Sequence, residues 1–394
     1  MQYGHLLRLQ ENIANQRDWL IAIRTPGLGS TTFARIFKNT GDIRALFNSP
    51  FKTLQKLGLK RRSFNYLQHP DDALIESDMD WLSGPGNHLV SIADEDYPAL
   101  LRAIPGHPFA LFVRGNPALL WQPQLAVVGS RNPTAGGVDN ARAFATYLVR
   151  RGLVITSGLA EGIDSAAHDA ALDEGAATIA VMGTGPDRIY PAKNKALAEK
   201  IAEYGAVVTE FPPGAEARPG HFPARNRIIS GLSLGTLVVE AGINSGSLIT
   251  ARLASEQGRE IFAIPGSIHN PMAKGCHRLI RDGAKLVETA GDILEELQPM
   301  AEELAIGLRH QLDSGAENDI AIEVEENTPT IGEDPDYVNL WSYLGYDPKP
   351  IDQLIEQTGL TASAVSSMLL MLELRGMVEA HREGGYSRKK RGIK

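Results

Sequence analysis

The spacing of apolar and polar positions changes twice along this chain of 394 residues. Up to about residue 85 the apolar residues recur at helical spacing in short amphipathic segments with little β-branched clustering, which predicts a small helical unit over 1–85. From about His88 to Leu297 short apolar runs take over: Leu125–Val128, Leu153–Thr156, Thr178–Val181, Val207–Glu210, Thr236–Glu240, Glu260–Ala263 and Ala284–Leu286. Helical periods lie between them, including Gly137–Arg151, Asp164–Glu174, Lys193–Tyr204 and Leu248–Gln257. Apolar strands joined by crossover helices predict a mostly parallel sheet covered on both faces, a doubly wound Rossmann-like α/β unit over 86–300. Residues 301–335 read as an acidic linker, with Glu323-Val324-Glu325-Glu326 in a polar segment. Beyond it, a helix over Ile351–Leu360 with a Gly turn, an N-capped second helix from Thr361, and Gly376 before a strand outline a winged helix over 336–394. Thr361, Ser363 and Ser366 fall toward the start of its recognition helix.

Four turns of the middle unit, each between an apolar strand and a helix start, carry the candidate chemistry. They are Val127-Val128-Gly129-Ser130-Arg131, Ser157-Gly158-Leu159-Ala160-Glu161-Gly162-Ile163-Asp164, Pro223-Ala224-Arg225-Asn226-Arg227-Ile228-Ile229-Ser230 and Ser245-Gly246-Ser247-Leu248-Ile249-Thr250-Ala251-Arg252. Helix starts offer unpaired N–H groups and partial positive charge, and glycine admits a phosphate close to the backbone. Arg131, Arg225 and Arg227 add guanidinium groups that bind phosphate bidentately. In a doubly wound sheet such turns face the ligand crevice beyond the strand ends. Arg225 and Arg227, two apart at a helix start, cannot share a face, so one is expected to meet ligand and the other to hold the scaffold, with Arg225 favoured for ligand. Ser245-Gly246-Ser247 reads as a cap and anion nest. Lys195 and Lys274 are further candidate phosphate contacts, and Phe211 and Phe222, flanking the arginine-bearing turn, are candidate base platforms or core, with Phe222 expected in a loop.

Several classes fall away. The first turn lacks the G-x-G-x-x-G of dinucleotide folds, and no Gly-Lys-Ser/Thr completes a P-loop, so no cofactor fingerprint is present. The serines lack the nucleophile elbow, and His168, His221, His269 and His277 show no metal spacing. Cys276-His277 reads as a packed pair rather than a metal or thiol site. Asp164 and Glu161 are open to two readings, acid/base groups or helix caps. At 43% apolar and 22% charged residues the composition is that of an ordinary globular protein. No run approaches the roughly 18 to 20 apolar residues of a membrane span. The start Met1-Gln2-Tyr3-Gly4-His5 does not read as a signal peptide, and the lone Cys276 excludes an internal disulfide, so a cytoplasmic setting is expected. The formal net charge of −8 argues mildly against nucleic acid, although the acidic linker can mask a local basic groove. Thr25-Pro26-Gly27-Leu28-Gly29-Ser30 and Leu57-Gly58-Leu59 are similar to the turns of helix-hairpin-helix or SAM-like modules, which serve either DNA backbone or protein contacts. The tail Arg388-Lys389-Lys390-Arg391 is either a phosphate contact or a solvated end.

At these motifs the chain resembles the bacterial DNA-processing protein A family (DprA, also called Smf). The resemblance is carried by Gly129-Ser130-Arg131, Ser157 to Asp164, Arg225 to Ser233, Glu240-Ala241 with Ser245 to Ala251, and Ile264-Pro265-Gly266-Ser267 before Gly275-Cys276-His277-Arg278-Leu279-Ile280. It implies a non-enzymatic single-stranded DNA binder of natural transformation that protects incoming strands and loads the RecA recombinase. It further implies a homodimer through the Rossmann domain and DNA contacts at Gly129, Ser130, Arg131, Arg225, Asn226 and Arg227, with Ser247, Lys195 and Lys274 as weaker carry-overs. The sheet is also similar to that of LOG-type nucleotide phosphoribohydrolases, since Arg225 or Arg227, Gly235-Thr236 and Glu240 come in the same order, but their Pro-Gly-Gly turn is missing. A transcriptional regulator would rest on the winged helix alone and predicts sequence-specific duplex binding.

Overall fold

The computed structural model describes residues 15–298, 335–374, 377–381 and 385–389. Six helices open the described chain: α1 over residues 15–24, α2 Ser30–Thr40, α3 Ala45–Asn48, α4 Phe51–Lys56, α5 Arg61–Gln68 and α6 Asp72–Leu82. Their apolar faces close over Leu20, Phe33, Ile36, Leu46, Leu54 and Ile75, all fully buried. This core does not end at the helices. Phe33 stacks on Phe109 at 4.3 Å between ring centroids, and Trp81 meets Phe112 edge-on at 5.8 Å. Arg24 pairs with the buried Asp78 at 2.5 Å and donates to the Pro213 carbonyl at 2.8 Å, which ties the helical unit to the sheet unit.

Two strands precede the first one expected from the sequence: β1 Asn87–Ser91 and β2 Ala110–Gly115 form an antiparallel hairpin, and β2 pairs antiparallel with the sheet. Between them lies the short α7 Ala99–Arg102. The parallel strands are β3 Gln124–Val128, β4 Val154–Ser157, β5 Thr178–Val181, β6 Ala206–Thr209, β7 Gly235–Val238, β8 Glu260–Ala263 and β9 Lys285–Leu286. The nine-stranded order is β1-β2-β6-β5-β4-β3-β7-β8-β9. Joining them are α8 Ala135–Val149, α9 Ile163–Asp173, α10 Lys195–Tyr204, α11 His221–Leu232, α12 Ser247–Glu256 and α13 Lys274–Arg281, and α14 covers residues 290–298.

Strand pleating sends alternate residues to opposite faces. Leu125 and Val127 of β3 enter one core with Ala141, Ala145 and Ala167, while Ala126 and Val128 enter the other with Ile228, Ile229 and Leu232. The chain runs outward from β3 to β6, then returns to lay β7 on the other side of β3, so the topological switch lies where these two strands end. Helix α11 starts at His221. The sequence pattern predicts that start at Arg225, with Phe222 in a loop. Pro223 explains the difference, because a proline in a first helical turn forfeits no hydrogen bond.

The third unit comprises α15 Pro335–Tyr343, α16 Ile351–Thr358, α17 Ala362–Leu374 and a small antiparallel sheet of β10 Lys349–Pro350, β12 Gly385–Arg388 and β11 Val378–Ala380. Gly359, at φ 70°, closes α16, and Thr361 Oγ1 accepts the Ala364 N–H at 3.2 Å to cap α17. Ser363 and Ser366 sit in the first turns of α17 but are buried. There Ser366, Ser367 and Leu370 face Pro98–Leu100 and Leu120–Pro123 of the sheet unit. The expected acidic linker lies almost wholly outside the described residues, as do Lys390 and Arg391 of the tail. Arg388 is held inside the unit, bonded to the Trp341 carbonyl with its guanidinium 4.4 Å from that indole.

Candidate functional site

A crevice of about 570 Å³ opens at the switch point, above the ends of β3 and β7. Three of its walls come from the turns singled out above: Gly129, Ser130 and Arg131; Ala160 and Asp164; and Ser245, Gly246 and Ser247. A fourth is the first two turns of α11, with Phe222, Arg225 and Asn226. This is where open α/β sheets bind ligands.

Close packing fixes the turns. A Cβ on Gly129 would come within 2.6 Å of Ile163 and 3.0 Å of the Glu240 carbonyl, and one on Gly162, at φ 82°, within 2.4 Å of the Ser130 carbonyl. Ser130 N–H donates to the Glu240 carbonyl at 2.7 Å, and its carbonyl accepts Ile163 N–H at 3.1 Å. Leu159 holds φ 59°, a left-handed conformation costly for a leucine, in the middle of the second turn. The Asp164 carboxylate accepts the N–H groups of Gly158 at 3.1 Å and Ala160 at 3.4 Å and so shapes that turn. Of the two readings open for Asp164, the geometry favours the structural one. Glu161 pairs with Lys193 instead.

Arg225 dominates the electrostatics. Its side chain is buried, with the residue 6% exposed, and its guanidinium lies over Gly158, where a Cβ would stand 1.3 Å from Nη1. Its Nε has no hydrogen-bond partner. Burial pulls its pKa down to about 10; the Asp164 carboxylate opposes that and the Arg131 charge adds to it. Asp164 in turn is pushed up by burial, partly offset by Arg225. Even so, the guanidinium stays charged at neutral pH, and it lines the crevice without an ion pair to a carboxylate. Arg131 is exposed, with its guanidinium 5.8 Å from the centre of the Phe222 ring. Phe222 also touches the half-exposed Tyr190 at 5.6 Å between centroids.

The remaining candidates lie elsewhere or play other parts. Arg227 pairs with Glu210 in a partly buried contact away from the crevice. Lys195 is exposed at the start of α10, and Lys274 is exposed two residues beyond Met272; neither lines the crevice. Phe211 stacks on His221 at 3.9 Å, leaving Phe222 as the ring that lines the space. Ser247 Oγ lies 2.7 Å from Ser245 Oγ at the head of α12. Asn244, Thr250 and Met272 also line the crevice, and Tyr190 borders it through Phe222. Sequence reasoning named none of the four as contacts: Met272 and Tyr190 reach the site from segments without a motif of their own, and Asn244 and Thr250 flank the Ser245–Ser247 nest, where only the folded turn shows which side chains face the space.

Features of other chemistries are occupied differently. Gly235 and Thr236 open β7 and are buried, and the Glu240 carboxylate is spent on Thr134, accepting its N–H at 2.9 Å and its hydroxyl at 2.6 Å. Cys276 is buried, its thiol pushed up to about 11 by burial, and His277 Nε2 meets the Gly266 carbonyl at 2.9 Å. Among the described residues no group of three or more His, Cys, Asp or Glu is placed to hold a metal ion, and no helix is long and apolar enough to cross a membrane.

Compared with known proteins, the chain matches the family described as DNA recombination-mediator protein A over residues 88–298 and the DprA winged helix domain over residues 324–384. It is similar to Protein Smf of Escherichia coli (strain K12), 43% identical over 340 residues that cover 86% of this chain and 87% of that protein. With DNA processing protein DprA of Streptococcus pneumoniae it shares 50% identity over 208 residues, 53% of this chain and 73% of that relative. The X-ray structure of DprA from Streptococcus pneumoniae matches with a TM-score of 0.65 at 39% identity, covering 71% of this chain and 97% of that one.

Proposed function

Since this chain belongs to the DNA recombination-mediator protein A family, we propose that it is a non-enzymatic single-stranded DNA-binding protein that protects incoming strands in natural transformation and loads RecA recombinase onto them. The observation that carries the reading is Arg225: a buried, charged guanidinium with an unpartnered Nε, turned into a crevice walled by glycine and serine turns. An unpaired buried cation is costly, and a phosphate would supply its missing partner. Arg131 over Phe222 adds a second phosphate contact beside a ring on which a base can stack, the pairing that sequence-tolerant single-strand sites use. Gly129, Ser130, Asn226 and Ser247 complete the contact set in this reading. Lys195 and Lys274 are outlying phosphate contacts, and Arg227 secures the helix that presents Arg225. A non-enzymatic role fits the carboxylates nearest the turns, since Asp164, which lines the crevice, and Glu240, which does not, are both committed to backbone N–H groups. By family likeness we further infer a cytoplasmic homodimer joined through the 86–300 unit, with the 1–85 unit, the 301–335 linker and the 336–394 winged helix as its flanking parts.

Fluorescence anisotropy with a labelled single strand of mixed sequence tests this. Arg225→Met and Arg131→Glu should each weaken binding at least about tenfold, the scale of a lost charge-assisted hydrogen bond. Phe222→Ala should lose a similar amount, the scale of one base stack. Affinity should fall steeply with salt in the wild type and less steeply in Arg131→Glu. Unchanged single-strand affinity in both arginine variants would overturn the assignment of the crevice.

A further inference from the structure

A second charged surface lies outside the crevice. Residues 31–62 contain eight lysines and arginines against one acid, Asp42, in a chain of net charge −8. All eight are exposed. Asp42 takes Arg44 at 3.1 Å, and no ion pair among the described residues engages the other seven. Acids are present nearby on α6, but Asp72 and Glu76 pair with Arg17 and Asp78 with Arg24, so they do not neutralise the patch. An ordinary solvated face mixes both signs; a one-sign field repels itself and is characteristic of a surface that meets an opposite charge.

The cations also share a place. Ser63 Oγ of α5 donates to the Pro26 carbonyl at 2.7 Å, and Arg35 Nη1 of α2 donates to the Leu57 carbonyl at 3.2 Å. A Cβ on Gly27 would stand 3.5 Å from Ser63 Oγ, and one on Gly58 would stand 3.1 Å from Arg35 Nη1. These contacts set the turn that leads into α2 against the first turn of α5, and α2 itself against the turn between α4 and α5. Neither helix has a side-chain cap or an acidic residue in its first turn, so their leading N–H groups and positive ends stay open. Lys52 and Lys56 lie one turn apart on α4, which leads into the same turn, and Lys60 heads α5.

We propose that this face binds the phosphate backbone of duplex DNA without reading its sequence, independently of the crevice. Duplex is favoured over single strand because the patch offers no free ring. Single-strand sites stack bases on aromatic faces. Here Phe33 is buried in the core, Phe37, Phe47 and Phe64 pack against it, and Phe51 is taken up by the Phe64 ring at 5.1 Å between centroids and by Arg61 at 4.6 Å over its face. The only large apolar side chain of the N-terminal helices that is exposed among the described residues is Leu74.

The test uses the full chain and a triple variant, Lys52→Glu/Lys56→Glu/Lys60→Glu, whose side chains are exposed and unpaired. Anisotropy is read for a labelled mixed-sequence duplex and, separately, for a labelled single strand between about 50 and 200 mM salt. Duplex affinity should fall at least about tenfold at low salt and its log–log salt slope should flatten by about 2 to 3, the release expected for three lost phosphate contacts. Single-strand affinity should stay at the wild-type value, and Arg225→Met should show the reverse pattern. The charge-removing Lys52→Gln/Lys56→Gln/Lys60→Gln should lose less in the same direction, which separates lost attraction from damage to the fold. Duplex binding untouched by both triple variants, or absent in the wild type, overturns the proposal. Equal loss for duplex and single strand overturns it as well, because the patch would then belong to the single-strand path.

Discussion

His168 shows how the sheet unit controls charge at the level of one residue. The ring is fully buried on α9, with Nδ1 2.8 Å from the Thr178 hydroxyl. That hydroxyl already donates to the Ile155 carbonyl at 2.6 Å, so it accepts from His168, which places the ring proton on Nδ1 and leaves Nε2 bare and without a partner. Burial, reinforced by the Arg225 charge, lowers its pKa to about 3. The folded pKa therefore lies below the unfolded value near 6.5, so this contribution to stability is complete above about pH 6.5 and is lost as pH falls toward 3. His168→Asn keeps an N–H for Thr178 and cannot titrate. Its melting temperature should decline less than the wild type's between about pH 6.5 and 4, and parallel declines would show that another group sets the acid limb. At this scale the sequence tells part of the story. The two-residue spacing of Arg225 and Arg227 already forbids a shared face, but that Glu210 would take Arg227 depends on the fold bringing the residue just beyond β6 to α11.

Among the elements, the turn from Ser157 to Asp164 has the most to do with function. Its glycine at 158 is required by the guanidinium that covers it, not by backbone strain, since only Leu159 and Gly162 in this turn have positive φ. Gly158→Ala should therefore push aside the end of a flexible arginine and leave the turn in place. The expected outcome is a melting temperature within about 2 °C of wild type with single-strand affinity reduced about tenfold, measured by calorimetry and anisotropy on the same sample. A large loss of stability would mean that the guanidinium cannot move and that the arginine is part of the scaffold. The parallel strands were legible because each is a short apolar run buried on both faces. β1 was not, since Asn87-His88-Leu89-Val90-Ser91 is a polar edge strand defined by its partner β2. β2, Ala110-Leu111-Phe112-Val113-Arg114-Gly115, is apolar enough to be recognised, and went unread because no helical crossover frames it.

For the whole molecule, the winged unit has its third helix, α17, turned onto the sheet unit, a relation no local pattern encodes. The contact is marked by Gly152, at φ 86°, where a Cβ would stand 2.9 Å from both carboxyl oxygens of Glu373 on α17. Burial raises the pKa of that carboxyl to about 7, opposed by the Ala380 N–H and the Lys389 charge; Tyr386 is pushed up by its own burial and, in addition, by the Glu373 charge. For an acid the sign is the reverse of that for His168. The folded state holds the proton more tightly than the unfolded chain, whose Glu titrates near 4.3, so the stabilisation is complete below about pH 4 and is lost as pH rises through 7. At neutral pH and above, the carboxylate is a buried charge beside Gly152 that works against docking. Glu373→Gln removes it at nearly constant shape. The variant should raise the melting temperature of the winged unit by a few degrees at about pH 8, and the gain should shrink toward zero at about pH 5. Protease resistance of the segment after Leu344, compared at the two pH values, would report docking separately from melting. A gain equal at both pH values would mean that the amide improves packing and that no titrating charge acts at this interface.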